Sequence, residues 1–434
     1  MNNKYDAIIV GAGIIGCCIA FELGKKGYRT LNVDRLPAAG YGSTSNSCAV
    51  IRMHYSTVVG TVMAYENFYY WRDWPGYLGI EDPDGLPRFI ITGCLVFKSE
   101  VNDNLKKICQ NLRAAGIEFE EWDRRDFAAR IPIFDVHKFA PVRRPEDPEF
   151  GKVTGEMVNG AIYYDCAGYV NDPQLAARNV QRAAEARGAR FLFNRQVTGI
   201  RRQNNRVLGV TLDDDIRLDA PIVVNAAGPH SAVINRLAGV EEGMNIKTRA
   251  LRREVAHVPA PKGFDFEKRG LVVGDDDIGN YCRPEAGNHI LIGSMEPACD
   301  EMEWVNPDHF NRNLTDQWTA QVYRMALRIP GLGIPSQPKG IVDLYDVSDD
   351  WIPIYDKSDL EGFYMAVGTS GNQFKNAPGV GAMMAEIIDA CRQGRDHDRE
   401  PIQFRLCHTG RTIDTGYYSR QREINPESSF SVVG

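Results

Sequence analysis

The sequence predicts an α/β fold with a parallel sheet covered by helices and a second, α+β unit that is mostly antiparallel. The chain has 434 residues, 43% of them hydrophobic, so two domains or two interleaved domains are expected. Strand, helix and strand patterns follow one another over residues 5–35 and return over residues 169–231. Other segments alternate polar and apolar residues around short turns, which is typical of antiparallel strands.

The first unit is "YDAIIVGAGIIGCCIAFELGKKGYRTLNVDR". Its β-rich stretch Tyr5–Val10 predicts a buried parallel strand, and a helix is predicted over Ile14–Lys25. Between them, Gly11 permits a tight turn, Gly13 lets the backbone approach a pyrophosphate, and Gly16 lets the helix pack against the strand. The helix N-terminus would offer free N–H groups to an anion.

A second strand, "TLNVD", ends at Asp34, 18 residues after Gly16, where an acid can accept both ribose hydroxyls. Strand, glycines, helix, strand and acid together indicate a Rossmann-like dinucleotide site, although the motif does not separate FAD from NAD. The next stretch, "RLPAAGYGSTSNSCAVIRMHYST", is a loop of small residues instead of another βα unit. An NAD dehydrogenase of the doubly wound type would continue with further βα units.

Later segments supply the remaining elements. A helix is predicted over residues 172–187, followed by the hairpin "VTGIRRQNNRVLGVTL" and the buried strand "APIVVNAAG". The segments "LPRFIITGCLVFK", "RALRREVAHVP" and "GNYCRPEAGNHILIGSM" read as strands. Near residue 370, the strand "GFYMAVG" leads through "TSGNQFKNAPGVG" into the helix "GVGAMMAEIIDAC", which predicts a second helix N-terminus that faces a ligand.

On these motifs the chain resembles the FAD-dependent D-amino acid oxidase (DAO) superfamily, especially glycine and sarcosine oxidases and the β subunit of heterotetrameric sarcosine oxidase. The resemblance covers about residues 5–395 and rests on "VGAGIIG" with Asp34, "GSTSNSCAVIR", "VVNAAGPHS" and "GFYMAVGTSGNQFKNAPGVGAMMAEII". It implies an FAD-binding domain of residues 1–80, 152–228 and 338–395. The substrate-binding domain would then comprise residues 81–151 and 229–337, with a C-terminal extension over residues 396–434.

The resemblance also assigns candidate residues. Arg52 matches the arginine that holds the substrate carboxylate, and a guanidinium suits a carboxylate geometrically. Lys375 matches the lysine of the "SGHGFK" stretch, and would join Arg52 or neutralise the pyrimidine edge of the flavin. We expect catalytic roles for Arg52, His54 and Lys375, and substrate contacts from Arg52, Tyr281, Arg283 and Lys375. The residues expected to bind FAD are Gly11, Gly13, Ile14, Ile15, Gly16, Asp34, Arg35, Ser43, Thr44, Ser45, Val197, Ala227, Gly228, Gly371, Asn372, Gln373, Phe374 and Lys375.

The chain departs from the family pattern in two places. Asn372 and Gln373 stand where the family has His-Gly, so the backbone there lacks a glycine. Asp343 stands where monomeric sarcosine oxidase has the cysteine that binds its flavin, so we expect FAD to bind non-covalently.

The expected activity is oxidation of the C–N bond of a small amino acid or N-alkyl amino acid by hydride transfer to flavin N5. The alternatives are a flavin-dependent hydroxy-acid or polyol-phosphate dehydrogenase, a subunit of a multi-subunit amine dehydrogenase, and an NAD(P)-linked dehydrogenase. The chain could act as a homo-oligomer or with a partner subunit, and its sequence does not separate these arrangements.

Composition argues against several classes of binding partner. The net charge is −7 with scattered basic residues, which argues against nucleic acid and anionic membranes as partners. The sequence contains no run of about 18 apolar residues and no secretory leader pattern, so we expect a cytoplasmic protein without membrane insertion. The 10 cysteines and 8 histidines are dispersed, which predicts reduced thiols and no protein-ligated metal.

Overall fold

The computed structural model describes residues 5–98 and 103–434. Residues 1–4 and 99–102, which belong to the predicted segments 1–80 and 81–151, lie outside the described residues. The α-helices of the described chain are α1 (Ile14–Lys25), α2 (Val58–Arg72), α3 (Trp74–Leu78), α4 (Asp103–Ala115), α5 (Arg124–Arg130), α6 (Pro173–Glu185), α7 (Ser231–Ala238), α8 (Phe266–Arg269), α9 (Asp316–Arg328) and α10 (Ala377–Arg392). Short 3₁₀ turns cover Gly228–His230, Glu241–Gly243, Phe374–Asn376 and Thr415–Tyr418.

The strands of the described chain follow in the same way. They are β1 (Ala7–Val10), β2 (Thr30–Val33), β3 (Val50–Ile51), β4 (Phe89–Ile91), β5 (Cys94–Phe97), β6 (Glu120–Trp122), β7 (Ala161–Tyr164), β8 (Gly168–Val170), β9 (Arg190–Leu192), β10 (Val197–Gln203), β11 (Arg206–Leu212), β12 (Arg217–Asp219), β13 (Val223–Asn225), β14 (Thr248–Pro259), β15 (Val272–Asp275), β16 (Asn280–Glu285), β17 (His289–Ser294), β18 (Gly340–Ser348), β19 (Ile354–Lys357), β20 (Phe363–Val367), β21 (Gln403–Arg405) and β22 (Thr412–Asp414).

A six-stranded sheet forms the first layer, in the order β19-β20-β13-β1-β2-β9. All neighbours pair in parallel except β19, which runs antiparallel to β20. Side chains of β1 alternate between two cores: Ala7 and Ile9 pack with α1 and α10, whereas Ile8 and Val10 pack on the opposite face with the β10-β11 hairpin. This burial on both faces explains the nearly continuous apolar strands, and the α/β class predicted from the sequence is confirmed.

An eight-stranded sheet forms the second layer, in the order β18-β14-β17-β16-β15-β5-β7-β6. Its pairs are antiparallel except for β5 and β15. Helix α9 packs Trp318, Val322 and Met325 into the core on one face of this sheet. The mostly antiparallel second unit that the sequence predicts is therefore present.

The sheets divide the chain differently from the predicted segments in two places. β7 falls within the predicted FAD-binding segment 152–228 but pairs with β5 in the antiparallel sheet. β18 falls within the predicted segment 338–395 but pairs with β14 in the same sheet. Sheet membership therefore does not follow the predicted segments at these two strands, because a strand's own residues do not specify which sheet edge it joins. The segment "LPRFIITGCLVFK" likewise forms two strands, β4 and β5, separated by Gly93 with a φ of 76°.

The C-terminal extension, residues 396–434, packs along the same molecule. β21 pairs with β22, and Arg420 is fully buried against the carboxylates of Asp356 and Asp398. The extension then runs toward the segment that carries Arg52. Across the described ranges, every helix is too short or too polar to cross a bilayer.

Candidate active site

A cavity of about 430 Å³ lies between the glycine loop after β1 and the loop before α10. Most residues expected to bind FAD or substrate line it: Gly11, Gly13, Ile14, Ile15, Asp34, Arg35, Ser43, Thr44, Arg52, His54, Val197, Ala227, Gly228, Tyr281, Gly371, Asn372, Gln373, Phe374 and Lys375. Gly16, Ser45 and Arg283 are not part of the lining. The two glycine loops therefore stand at opposite ends of one continuous space.

At the first end, Asp34 organises the loop after β1. Its Oδ2 accepts a hydrogen bond from the Ala12 N–H at 2.7 Å, and its Oδ1 accepts one from the Leu36 N–H at 2.9 Å. Thr44 Oγ1 accepts the Ile14 N–H at 3.1 Å, which satisfies one of the free donors at the start of α1. Burial raises the pKa of Asp34, while these backbone donors oppose that rise.

The three glycines of the motif are required for different structural reasons. A Cβ at Gly11 would lie 2.3 Å from the Ala226 carbonyl oxygen, and one at Gly16 would lie 2.4 Å from the Gly11 carbonyl oxygen. Gly13 has an ordinary φ of −68°, and its only close neighbour is Thr44 Oγ1 at 3.2 Å from an added Cβ. Protein packing thus explains Gly11 and Gly16, whereas at Gly13 a side chain would mainly enter the cavity, as expected where a pyrophosphate approaches the backbone.

At the other end, two buried cations surround Tyr55. Lys375 Nζ donates to Tyr55 Oη at 3.0 Å and to the Asn372 carbonyl at 2.8 Å. The Arg52 guanidinium lies 4.8 Å from the centre of the Tyr55 ring. Arg52 is 8% exposed and Lys375 is 3% exposed, and within residues 5–98 and 103–434 neither forms an ion pair with a carboxylate. Burial, followed by repulsion from Arg52, lowers the pKa of Lys375.

His54 lies beside this pair as a neutral imidazole. Its Nδ1 is 2.6 Å from Tyr164 Oη, and burial lowers its pKa, with further lowering by Arg52 and Lys375. No hydrogen bond to Nε2 is found among the described side chains, and the ring lines the cavity. Which ring nitrogen carries the proton depends on the tautomer, and the lowered pKa disfavours protonation of both nitrogens at once.

Of the two candidate substrate contacts on β16, Tyr281 and Arg283, only Tyr281 lines the cavity. Tyr281 lines the cavity with its hydroxyl 3.4 Å from Cys48 Sγ. Arg283 points elsewhere: it donates to the Cys48 carbonyl at 2.7 Å, pairs with Glu285 at 2.9 Å, and lies over the Tyr169 ring. The expected substrate contact from Arg283 is therefore corrected, because these partners already use its guanidinium.

The loop before α10 is held in place by hydrogen bonds and ring stacking with residues from other elements. Trp71 Nε1 donates to the Lys375 carbonyl at 2.7 Å, and the Trp71 ring stacks on Phe374 with centres 5.0 Å apart. Gln373 Oε1 accepts from Tyr355 Oη at 3.0 Å, and Asn372 Nδ2 donates to the Val432 carbonyl at 3.1 Å. The two amides that replace the family's His-Gly thus fasten the loop and the C-terminal extension.

Several cavity residues escaped the sequence predictions. Tyr55 was not among the candidates, but the chain leaves β3 at Ile51 and turns the Tyr55 ring beneath the Arg52 guanidinium. Tyr345 and Asp346 follow Asp343 in the stretch compared with the family, which was a usable signal. Nothing in the sequence indicated Val432 and Val433. The cavity residues missed include Cys48, Tyr345, Asp346, Val432 and Val433, while Tyr55 lies beside the cavity under Arg52.

Outside the cavity, Glu66, Cys407 and His408 bring potential metal ligands within 4.8 Å of one another. The Glu66 carboxylate accepts hydrogen bonds from the His408 and Thr409 N–H groups, both at 2.8 Å. His408 also stacks on Tyr69. These contacts fasten the extension to α2.

Comparison with known proteins relates this architecture to flavoenzymes. Residues 6–387 match the family model described as DAO, FAD dependent oxidoreductase. The chain is 23% identical over 395 residues to sarcosine oxidase subunit beta of Rhodobacter capsulatus, covering 89% of this chain and 85% of that protein. It is 23% identical over 403 residues to glycine oxidase of Geobacillus kaustophilus, covering 90% and 94%. L-Proline dehydrogenase from P. horikoshii superposes with a TM-score of 0.74 at 20% identity, over 97% of this chain and 98% of that one.

Proposed function

Because the chain belongs to the DAO family of FAD-dependent oxidoreductases, we propose that it oxidises the C–N bond of a small amino acid or N-alkyl amino acid. Relatives named for sarcosine, glycine and proline support this substrate class. The observation that carries the proposal is the pair of buried cations, Arg52 and Lys375, without a carboxylate partner among the described residues.

Buried charges are costly unless they are paired or hydrogen-bonded. Arg52 Nη2 donates to the Val432 carbonyl at 2.6 Å, and Lys375 donates to one carbonyl and one hydroxyl, so both are hydrogen-bonded but neither charge is neutralised. An entering carboxylate would supply the missing negative charge. It would also favour the protonated form of Lys375 against the depression of its pKa by burial.

In this proposal the residues of the chain bind and orient FAD and the substrate. Asp34 and Gly13 would hold the ribose and pyrophosphate end of FAD, and the loop around Lys375 would face the end that carries the reactive ring. Arg52 would hold the substrate carboxylate, and the neutral His54 ring would line the space beside it. The chemistry supplied by bound FAD is acceptance of a hydride from the C–H bond beside nitrogen, and the imine then hydrolyses to a carbonyl compound and an amine.

FAD would be held without a covalent bond at Asp343, whose carboxylate accepts from Asn46 Nδ2 at 2.8 Å. A partner subunit is a second part of the proposal, because one relative is named as a subunit of sarcosine oxidase. Size measurement of the purified holoprotein alone and after co-expression with neighbouring genes would test for it.

The central test is anaerobic titration of the FAD-loaded protein with amino acids, N-methyl amino acids, hydroxy acids and glycerol phosphate. Bleaching of the flavin by an amine with release of ammonia or an alkylamine would support the proposal. Bleaching only by an alcohol substrate would instead favour the hydroxy-acid or polyol-phosphate alternative. Admission of oxygen afterwards shows whether oxygen reoxidises the flavin.

Arg52→Met tests the carboxylate assignment. We expect the apparent affinity for the amine substrate to fall by roughly 10- to 150-fold, because one charge-assisted contact contributes roughly 1.5–3 kcal/mol. Arg283→Met is the matched control: it removes a buried arginine of β16 that does not line the cavity. Equal substrate affinity in the wild type and Arg52→Met would contradict the assignment.

A further inference from the structure

Residues 428–434 form a compact turn at the end of the C-terminal extension. The Gly434 N–H donates to the Ser431 carbonyl at 2.9 Å, and Ser429 Oγ lies 2.9 Å from Ser431 Oγ. Before the turn, Lys107 Nζ donates to the Glu427 carbonyl at 2.7 Å. The turn is therefore shaped by its own hydrogen bonds and is fixed where it begins; we call it the terminal turn.

The backbone of the terminal turn is bound by groups from three separate parts of the chain. The Val432 N–H donates to Glu296 Oε2 at 2.9 Å, and Glu296 also pairs with Arg253. The Val432 carbonyl accepts from Arg52 and from Asn372. Ser56 Oγ donates to the Gly434 carbonyl. Both polar groups of Val432 are thus satisfied at the substrate end of the cavity.

The side chains of the terminal turn add an apolar surface at the same place. Val432 is 9% exposed and Val433 is 7% exposed, and both pack with Leu251, Val347 and Trp351. Met295 and Tyr345, which border this cluster, also line the cavity. Phe430 in the same turn is 41% exposed and lies outside the lining. The turn therefore presents two valines to the cavity region and one phenylalanine to solvent.

We propose that the terminal turn is a wall of the substrate-binding site, in which Val432 and Val433 limit the length of the substrate and the Val432 carbonyl holds Arg52 in place. This inference rests on the proposed function, since it takes Arg52 as the group that binds the substrate carboxylate. Arg52 has five N–H donors and uses two of them on the His54 and Val432 carbonyls, so donors remain for a carboxylate.

The wall has a definite consequence for ligand choice. An arginine held by fixed carbonyls keeps one orientation, so a carboxylate bound there places the rest of the ligand in a defined direction. A valine side chain in that direction restricts chain length, and each methylene that gains or loses apolar contact changes affinity by roughly fourfold. The enzyme should therefore prefer short carboxylates while the terminal turn is in place.

The test uses straight-chain carboxylates from acetate to hexanoate as probes of the FAD-loaded full chain. Binding is followed by the change in the visible absorption of the flavin, which needs no turnover. Val432→Ala and Val433→Ala should move the preferred chain length up by one or two carbons, with a change of about fourfold or more in the hexanoate-to-acetate affinity ratio. Phe430→Ala is the matched control and should keep the wild-type ratio.

A chain ending at Glu427 provides a second variant. It should bind acetate about tenfold more weakly, because water admitted beside Arg52 screens its attraction for the anion. An unchanged chain-length preference in both valine variants would overturn the wall. Tighter acetate binding by the shortened chain would also overturn it, since the turn would then compete with the anion. Acetate binding that survives Arg52→Met would overturn the proposed function and the wall with it.

Discussion

Gly13 and Gly16 provide the sharpest test of how the cavity holds its cofactor. In Gly16→Ala the new Cβ would lie 2.4 Å from the Gly11 carbonyl oxygen, while real Cβ atoms stay at least 3.0 Å away, so α1 must move by about 0.6 Å. Overpacking of this kind costs about 1–3 kcal/mol. In a chain of this size, each kcal/mol lowers Tm by roughly 2–4 °C.

Gly13→Ala should change the stability of the FAD-free protein very little. The φ of −68° suits alanine, and the nearest atom to the new Cβ is Thr44 Oγ1 at 3.2 Å. Alanine lowers the entropy of the unfolded chain, which stabilises the protein by about 0.4–1 kcal/mol. Alanine is also a slightly poorer helix cap than glycine, which destabilises the protein by about the same amount. We therefore expect the Tm of the FAD-free protein to stay close to the wild-type value.

FAD binding, unlike the Tm, should be weakened by Gly13→Ala, because the new methyl group enters the space beside the start of α1. A steric cost of about 1–3 kcal/mol corresponds to a roughly 5- to 150-fold higher Kd for FAD. Quenching of FAD fluorescence by the FAD-free protein measures Kd, and calorimetry of the same samples measures Tm. FAD binding by Gly13→Ala as tight as in the wild type would refute the assigned approach of the pyrophosphate.

Two further predictions concern buried charges. Burial raises the pKa of Asp346 to about 7, so between pH 4 and pH 7 the folded chain keeps a proton that the unfolded chain has lost. The free energy of unfolding of the FAD-free wild type should therefore fall, relative to Asp346→Asn, as pH rises through this range; a pH-independent difference in urea titrations would contradict this. Arg420→Met would leave Asp356 and Asp398 without their buried partner and should cost about 3–5 kcal/mol in urea unfolding, with faster trypsin cleavage within residues 396–434. Wild-type stability and cleavage would show that Arg420 does not anchor the extension.

The cofactor end of the site was predictable from sequence because its determinants are local. α1 occupies Ile14–Lys25 as predicted, and the turn at Gly11, the packing at Gly16 and the acid at Asp34 all lie within one βαβ unit. The predicted hairpin likewise follows short alternating patterns, and β10 pairs with β11 as expected. The segment predicted as strands around residue 285 forms β16 and β17, which pair with each other. Neighbouring residues of the chain decide such features.

The substrate end depended on contacts between distant parts of the chain. Arg52 and Lys375 are identified by the family resemblance, but Tyr55 comes between them only because the chain turns after β3. Arg283 was misplaced since its neighbours Cys48 and Tyr169 come from other elements. Val432 meets Arg52 across 380 residues, through a turn that no local pattern specifies. Sequence by itself determined the α/β class, the βαβ unit and the FAD family; tertiary structure alone decided which sheet β7 and β18 join and what closes the substrate site, because packing between remote segments sets both.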